Sequence, residues 1–226
     1  MLRSLATAIS FGLLANLFVL PMTADAGPVR RATSPLTLTA YKDTSVPDAS
    51  LPVCRFCDAF QQSCSECNLS SEEDFLIYNT EFFGTSRALV GFKVSSPSDV
   101  PPTISKCTLH FPTKNWGTAF GYNVTFEIYQ AASNNWDEAT ITGGNAPKIG
   151  DYLQETSWYV GTPSPADADL TTFCKNKLAK EEGVTDFSLF IEVLNRETGV
   201  QMPSRKSTYL DENGQVRSNA MTLTIE

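Results

Sequence analysis

Hydrophobic and polar positions alternate along most of this chain. Leu36, Leu38 and Ala40 interleave with Thr37, Thr39 and Tyr41, the period of a half-buried strand. The same period recurs at Arg87 to Val94, with Val90, Phe92 and Val94 facing inward, and at Ile104 to Phe111, with Cys107, Leu109 and Phe111 on one side. It returns at Asn123 to Gln130 through Val124, Phe126 and Ile128, and at Phe187 to Val193. A short strand is expected at Phe75 to Tyr78 and another at Ser157 to Val160, and Met221, Leu223 and Ile225 mark the last one. Asp43 to Leu51 reads as turn-rich, and the segment from Pro147 to Ser157 as irregular. A single stretch has helical spacing: Leu170, Phe173, Cys174 and Leu178 form one stripe, with Asp167 or Asp169 to cap it and Gly183 to stop it.

About eight strands joined by long loops, with one helix, predict an all-β antiparallel β-sandwich rather than a parallel α/β sheet. The stretch Asn134 to Pro147 stands apart from this pattern. It sets Trp136 beside Asp137 and Glu138, then runs through Thr140, Ile141 and Thr142 into Gly143-Gly144-Asn145-Ala146-Pro147. This reads as a strand-to-loop corner, with Trp136 plugging the end of a sheet and the two glycines letting the backbone turn.

The amino terminus bears on compartment. Arg3, the apolar run Ile9 to Leu20 and the small residues of Ala24-Asp25-Ala26 have the layout of a signal peptide, 1–26, cleaved after Ala26. The run is too short for a membrane span. Residues 27–35 form a short linker or propeptide in which Arg30-Arg31 resembles a dibasic processing site. Residues 36–226 are expected to form one domain. A secreted chain, extracellular or wall-associated and monomeric, is expected. With a net charge of −8 over 226 residues it lacks the basic footprint that nucleic-acid binding needs.

An exported chain with six cysteines is expected to hold three disulfides. The cysteine-rich loop 54–67 spaces its residues Cys54-x2-Cys57-x6-Cys64-x2-Cys67, and nested pairing (Cys54–Cys67 and Cys57–Cys64) would staple it onto itself. Cys107, on an inward strand face, then pairs with Cys174 on the apolar face of the helix. Six cysteines allow fifteen connectivities, and a zinc site is the rival reading of the loop. An oxidising compartment and a six-residue gap count against zinc. Two sequons, at Asn68 and Asn123, offer glycosylation sites, and strand parity points Asn123 outward.

Together these residues resemble the DNRLRE domain, carbohydrate-binding module family 96. Asp43 and Val46 fit its Asp-x-x-Val element, Arg87, Leu89 and Phe92 its second strand, and Cys107, Leu109 and Phe111 its third. Trp136, Glu138, Thr142, Asn145 and Pro147 match its corner, and Asp169, Leu170 and Thr171 its helix start. Ser204-Arg205-Lys206 keeps two residues of its Ser-Arg-Glu turn and replaces the acid with lysine, while the cysteine-rich loop is an insertion. The resemblance implies a secreted sandwich of jelly-roll type that binds polysaccharide or sits in a wall, without catalysis of its own. It also implies a scaffold role for Trp136.

The chemistry in the chain agrees. His110, the single histidine, lies on the strand face opposite Leu109 and Phe111. No Gly-x-Ser-x-Gly, HExxH or phosphate-cradling loop occurs. Asp137 and Glu138 are adjacent and would point apart on a strand, unlike the opposed carboxylates of a glycosidase. Sugar rings need aromatic platforms with polar neighbours. Trp116 and Tyr122 in the loop from Pro112 are the first carbohydrate-binding candidates, and Tyr152, Trp158 and Tyr159 the second. No cofactor is implied. A structural calcium could draw on Asp43, Asp48, Asp137, Glu138 or Asp151, but no ligand set is assigned. The expected function is non-catalytic binding of a polysaccharide or cell-wall glycan, with no membrane insertion. The alternatives are a secreted structural or protein-interaction domain, and a polysaccharide hydrolase or lyase with an unrecognised site.

Overall fold

A computed structural model describes residues 34–54, 57, 62–70, 72–113, 117–120, 123–159, 162–178 and 186–226. All lie in one compact unit, 31–226. Two antiparallel sheets face each other. The smaller has the order β1 (Leu36–Thr39), β14 (Thr222–Ile225), β5 (Cys107–His110) and β9 (Ala168–Asp169). The larger runs β6 (Gly117–Phe120), β11 (Thr198–Pro203), β3 (Asp74–Thr80), β4 (Gly84–Lys93), β10 (Asp186–Val193), β7 (Asn123–Ala131) and β8 (Ile149–Tyr159). A further strand, β2 (Lys42–Pro47), pairs with β4 alongside β3. β12 (Thr208–Leu210) and β13 (Val216–Ser218) make a separate hairpin. The protein is an all-β sandwich with one α-helix, α1 (Thr171–Lys177), among the described residues.

The alternating residues meet between the sheets. Leu38, Leu109 and Leu223 from the small sheet pack against Phe92, Phe126, Phe187 and Ile191 from the large one. Phe92 stacks on Phe187 at 5.7 Å, and Phe173 of α1 meets the Phe187 ring edge-on at 5.3 Å. Each fully buried aromatic of this kind contributes roughly 2–3 kcal/mol to folding.

The sequence reading needs three corrections. Lys42 to Pro47 is a fully buried strand, not a turn. Its polar residues gave no hydrophobic period because they are satisfied by partners distant in sequence: the Ser45 hydroxyl accepts the Leu76 N–H at 2.9 Å, and Lys42 Nζ donates to the Asn134 and Trp136 carbonyls. Residues 149–159, expected to be irregular up to Ser157, form the long edge strand β8, whose bulges scramble its alternation. Fourteen strands are present among the described residues, because the short edge elements carry too few apolar residues to announce themselves.

Cystine pairing also differs from the nested expectation. Cys54 joins Cys64 and Cys57 joins Cys67, two interlocked ten-residue loops, while Cys107 joins Cys174. Interlocking follows from the neighbouring backbone: Cys64 N–H donates to Leu51 O, and Cys54 N–H to Gln62 O, which lays the two ends side by side. Gly183 lies outside the described residues.

Candidate functional site

The corner residues converge first. Trp136 does not plug a sheet end; it packs on the outer face of the large sheet against Val46, Leu89, Ala131, Ile141 and Phe190. Its indole N–H donates to Ser188 Oγ at 2.9 Å, and Lys42 Nζ sits 4.1 Å above the ring. Gly143 and Gly144 serve close approach rather than a left-handed turn. A Cβ on Gly143 would come within 2.5 Å of the Cys64 and Pro47 carbonyls, and one on Gly144 within 2.5 Å of Ser65 O. The cysteine-rich insertion therefore docks directly on the corner.

Beneath the corner, Asp43, Glu138, Arg205 and Lys206 form one charge network. Arg205 Nη2 meets Glu138 at 2.6 Å, Lys206 Nζ meets it at 2.8 Å, and Asp43 Oδ2 accepts the Arg205 N–H at 2.7 Å. Burial pushes the Asp43 carboxyl up to about 6, against the pull of Arg205. The lysine that replaces the expected acid at 206 thus gives Glu138 a second cation. This arrangement is a brace in which each carboxylate faces the chain's own cations. Of the other suggested calcium ligands, Asp48 and Asp137 accept backbone N–H groups in their own turns. His110 is tied between Asp167 at 2.8 Å and Thr224 at 3.1 Å, as a surface hydrogen-bonding residue.

A different arrangement lies at the open edge of the sandwich. Edge strands β8 and β9, with α1, enclose a groove of about 550 Å³, within the size range of small-ligand sites. Leu153, Leu170 and Phe173 supply apolar surface, while Asp151, Gln154, Asp169, Asn176 and Lys177 supply polar groups. At its rim stands Tyr152, 51% exposed. The ring is set edge-on against Tyr129 at 5.7 Å, and Tyr129 is in turn held by a 2.7 Å bond from its hydroxyl to Glu127. Desolvation and Glu127 push the Tyr129 phenol up to about 12, and burial with Glu155 raises Tyr152, so both remain neutral donors at physiological pH.

Local sequence explains how Tyr152 comes to the rim. The β7–β8 register slips between Ile128 and Tyr129, and again between Tyr129 and Ala131. These bulges place Tyr152 opposite outward-facing Tyr129, although Gln154, Thr156 and Trp158 oppose the inward residues Ile128, Phe126 and Val124. Gly150 permits the bulge, since a Cβ there would lie 2.9 Å from Gln130 O. The opposite wall is pinned by the Cys107–Cys174 disulfide, by Leu170 N–H to Cys107 O at 2.8 Å and by Cys107 N–H to Thr171 Oγ1 at 2.9 Å. Leu170 occupies the N-cap of α1 without a side-chain cap bond, so neither Asp167 nor Asp169 caps the helix as expected; Asp169 accepts from the Thr171 hydroxyl and, at 2.9 Å, the Thr171 N–H, which together lower its carboxyl.

The sequence candidates fall in different places. Trp116 and Tyr122 lie outside the described residues. Trp158 is a core residue, 4% exposed, with its indole N–H on Thr162 O at 3.1 Å, and it cannot offer a face to a ligand. Tyr152 and Tyr159 share the outer face but stand about 20 Å apart along β8. Gln154, Asn176 and Lys177 were not singled out from sequence: polar residues of an edge strand and a helix converge only through the sheet order.

Comparison with known proteins identifies a family. The model of carbohydrate-binding module family 96 matches residues 58–216. An uncharacterised secreted protein of Arthroderma benhamiae is 33% identical over 169 residues, 75% of this chain and 77% of its own length. A Bacteroides thetaiotaomicron structure solved at 2.05 Å, and put forward as a glycoside hydrolase, covers 84% of this chain and 69% of its own at 8% identity. Its TM-score of 0.20 is too low to inform either fold or activity. The chain belongs to carbohydrate-binding module family 96. No helix among the described residues is long and apolar enough to cross a membrane.

Proposed function

We propose that this chain is a secreted, non-catalytic module that binds a neutral polysaccharide of a cell wall or matrix through the groove beside Tyr152. The observation that carries the reading is the exposed Tyr152 ring, braced by Tyr129, at the rim of a groove with apolar and polar walls. A pyranose would stack its C–H face on the ring while Asp151, Gln154, Asn176 and Lys177 meet its hydroxyls. Two aspartates against one lysine in the groove, and the net charge of −8, disfavour polyanionic glycans. Family membership supports carbohydrate as the ligand class, and the secreted relative supports export.

Affinity electrophoresis in soluble β-glucan and mannan, with pull-down on chitin and cellulose, tests this. Retention by one neutral glycan that Tyr152→Ala lowers at least tenfold, with folding intact, is the expected result. A specific observation also supports a protein-interaction reading: Phe82, 73% exposed, joins Leu51, Val53 and Phe83 around a second hollow. Retention on no glycan, or on alginate alone, would shift the assignment towards that surface.

A further inference from the structure

We infer that the two sequons are not equivalent: Asn123 is the N-glycan acceptor of the folded protein, and Asn68 is a structural amide that the native fold keeps unmodified. The Asn68 side chain lies between the cysteine-rich loop and the corner. Its Nδ2 donates to Ile141 O at 2.6 Å and to Glu138 O at 3.1 Å, while its Oδ1 accepts the Ser70 N–H at 3.0 Å and the Ser70 hydroxyl at 2.6 Å. The two Ser70 bonds fix which end of the amide is oxygen. Both hydrogens of the nitrogen are therefore in use. Glycosylation replaces one of those hydrogens with a sugar carbon, so it would orphan a carbonyl and drive the sugar into the corner. A chain glycosylated at Asn68 during synthesis cannot close the corner on Trp136.

Asn123 meets the opposite conditions. It begins β7, is exposed, and lies on the outward parity of that strand, since Val124 and Phe126 point into the core. Its register partner on β8 is Tyr159, itself 59% exposed. Residues directly opposite on an antiparallel pair share a face with Cβ atoms about 4.5–5.5 Å apart. The first sugar of a glycan on Asn123 is thus carried over an exposed phenol ring. Tyr159, one of the aromatic candidates for foreign glycan, is by this geometry the platform for the protein's own.

The test uses the full chain secreted from a eukaryotic host. Glycan release in ¹⁸O-water followed by peptide mass mapping is expected to mark residue 123 and leave residue 68 an unaltered asparagine. In parallel, Asn123→Gln should lose one glycan in mass, whereas Ser70→Ala, which deletes the other sequon, should lose none. A mark at residue 68 in folded secreted protein, or none at residue 123, overturns the assignment. The stacking is read separately: removing the glycan should lower the Tm by about 2–4 °C, the scale of one cross-strand aromatic contact in a domain of this size. In Tyr159→Ala that drop should vanish, and an equal drop in both proteins would refute the platform.

Discussion

The ammonium of Lys42 lies 4.1 Å from the centre of the Trp136 ring and also donates to the Trp136 carbonyl at 2.9 Å. One buried cation therefore fixes both the ring and the backbone of the corner. Burial lowers the Lys42 pKa against the opposing pull of Asp186, Asp137 and Glu138. Lys42→Met keeps the volume but strands the Trp136 carbonyl and leaves the Asn134 carbonyl with the Trp136 N–H alone. It should cost about 2–3 kcal/mol in chemical denaturation, while Lys42→Arg should cost less.

Asp43 makes the brace beneath the corner sensitive to pH. Its folded-state value of about 6 lies above the usual carboxylate value of about 3.9 in an unfolded chain. The folded protein then holds this proton more tightly, so the contribution is complete below about pH 4 and is lost as pH rises through about 6. The stability of the wild type relative to Asp43→Asn should therefore fall by about 2–3 kcal/mol between pH 4 and pH 7. A pH-independent difference would show that the carboxyl is ionised throughout.

Two aromatic residues six positions apart should behave oppositely. Trp158→Ala empties a core site and should cost about 3–5 kcal/mol. Tyr152→Ala, at the groove rim, should stay within about 0.5 kcal/mol of wild type while losing glycan retention. Thermal melts alongside affinity gels distinguish the two.

The groove wall depends on the Cys107–Cys174 bond, which spans 67 residues. Replacing both with serine should destabilise by about 4 kcal/mol on the loop-entropy argument, against about 3 for either ten-residue loop bond. It should also raise hydrogen exchange in α1 more than in β10.

At the bulge, Gly150→Ala brings a methyl group to within 2.9 Å of the Gln130 carbonyl. The strand must shift, and the expected cost is about 1–3 kcal/mol. Because Tyr152 moves with that segment, glycan affinity should fall several-fold more than stability alone accounts for. Isothermal titration with an oligosaccharide of the retained glycan measures it.

The sequence by itself determined the sandwich. Leu38, Leu109, Phe92, Phe126 and Ile191 alternate with polar neighbours, and burying such strands requires a second sheet. It also marked α1 by the Leu170–Phe173–Cys174 stripe, and the corner by Trp136, Glu138 and Pro147, because these signals are local and periodic. Tertiary structure alone decided the rest. Asp43 and Ser45 look like turn residues until their partners, 162 and 31 positions away, help make a buried strand of them. Tyr152 and Trp158 are equally aromatic and equally spaced from polar residues, yet two bulges send one to solvent and the other to the core. Asn68 and Asn123 both head sequons; strand parity already points Asn123 outward, but only the tertiary structure shows the Asn68 amide nitrogen donating to the Ile141 and Glu138 carbonyls. In each case the deciding groups are hydrogen-bond and register partners brought together by sheet order, which no linear pattern of hydrophobicity encodes.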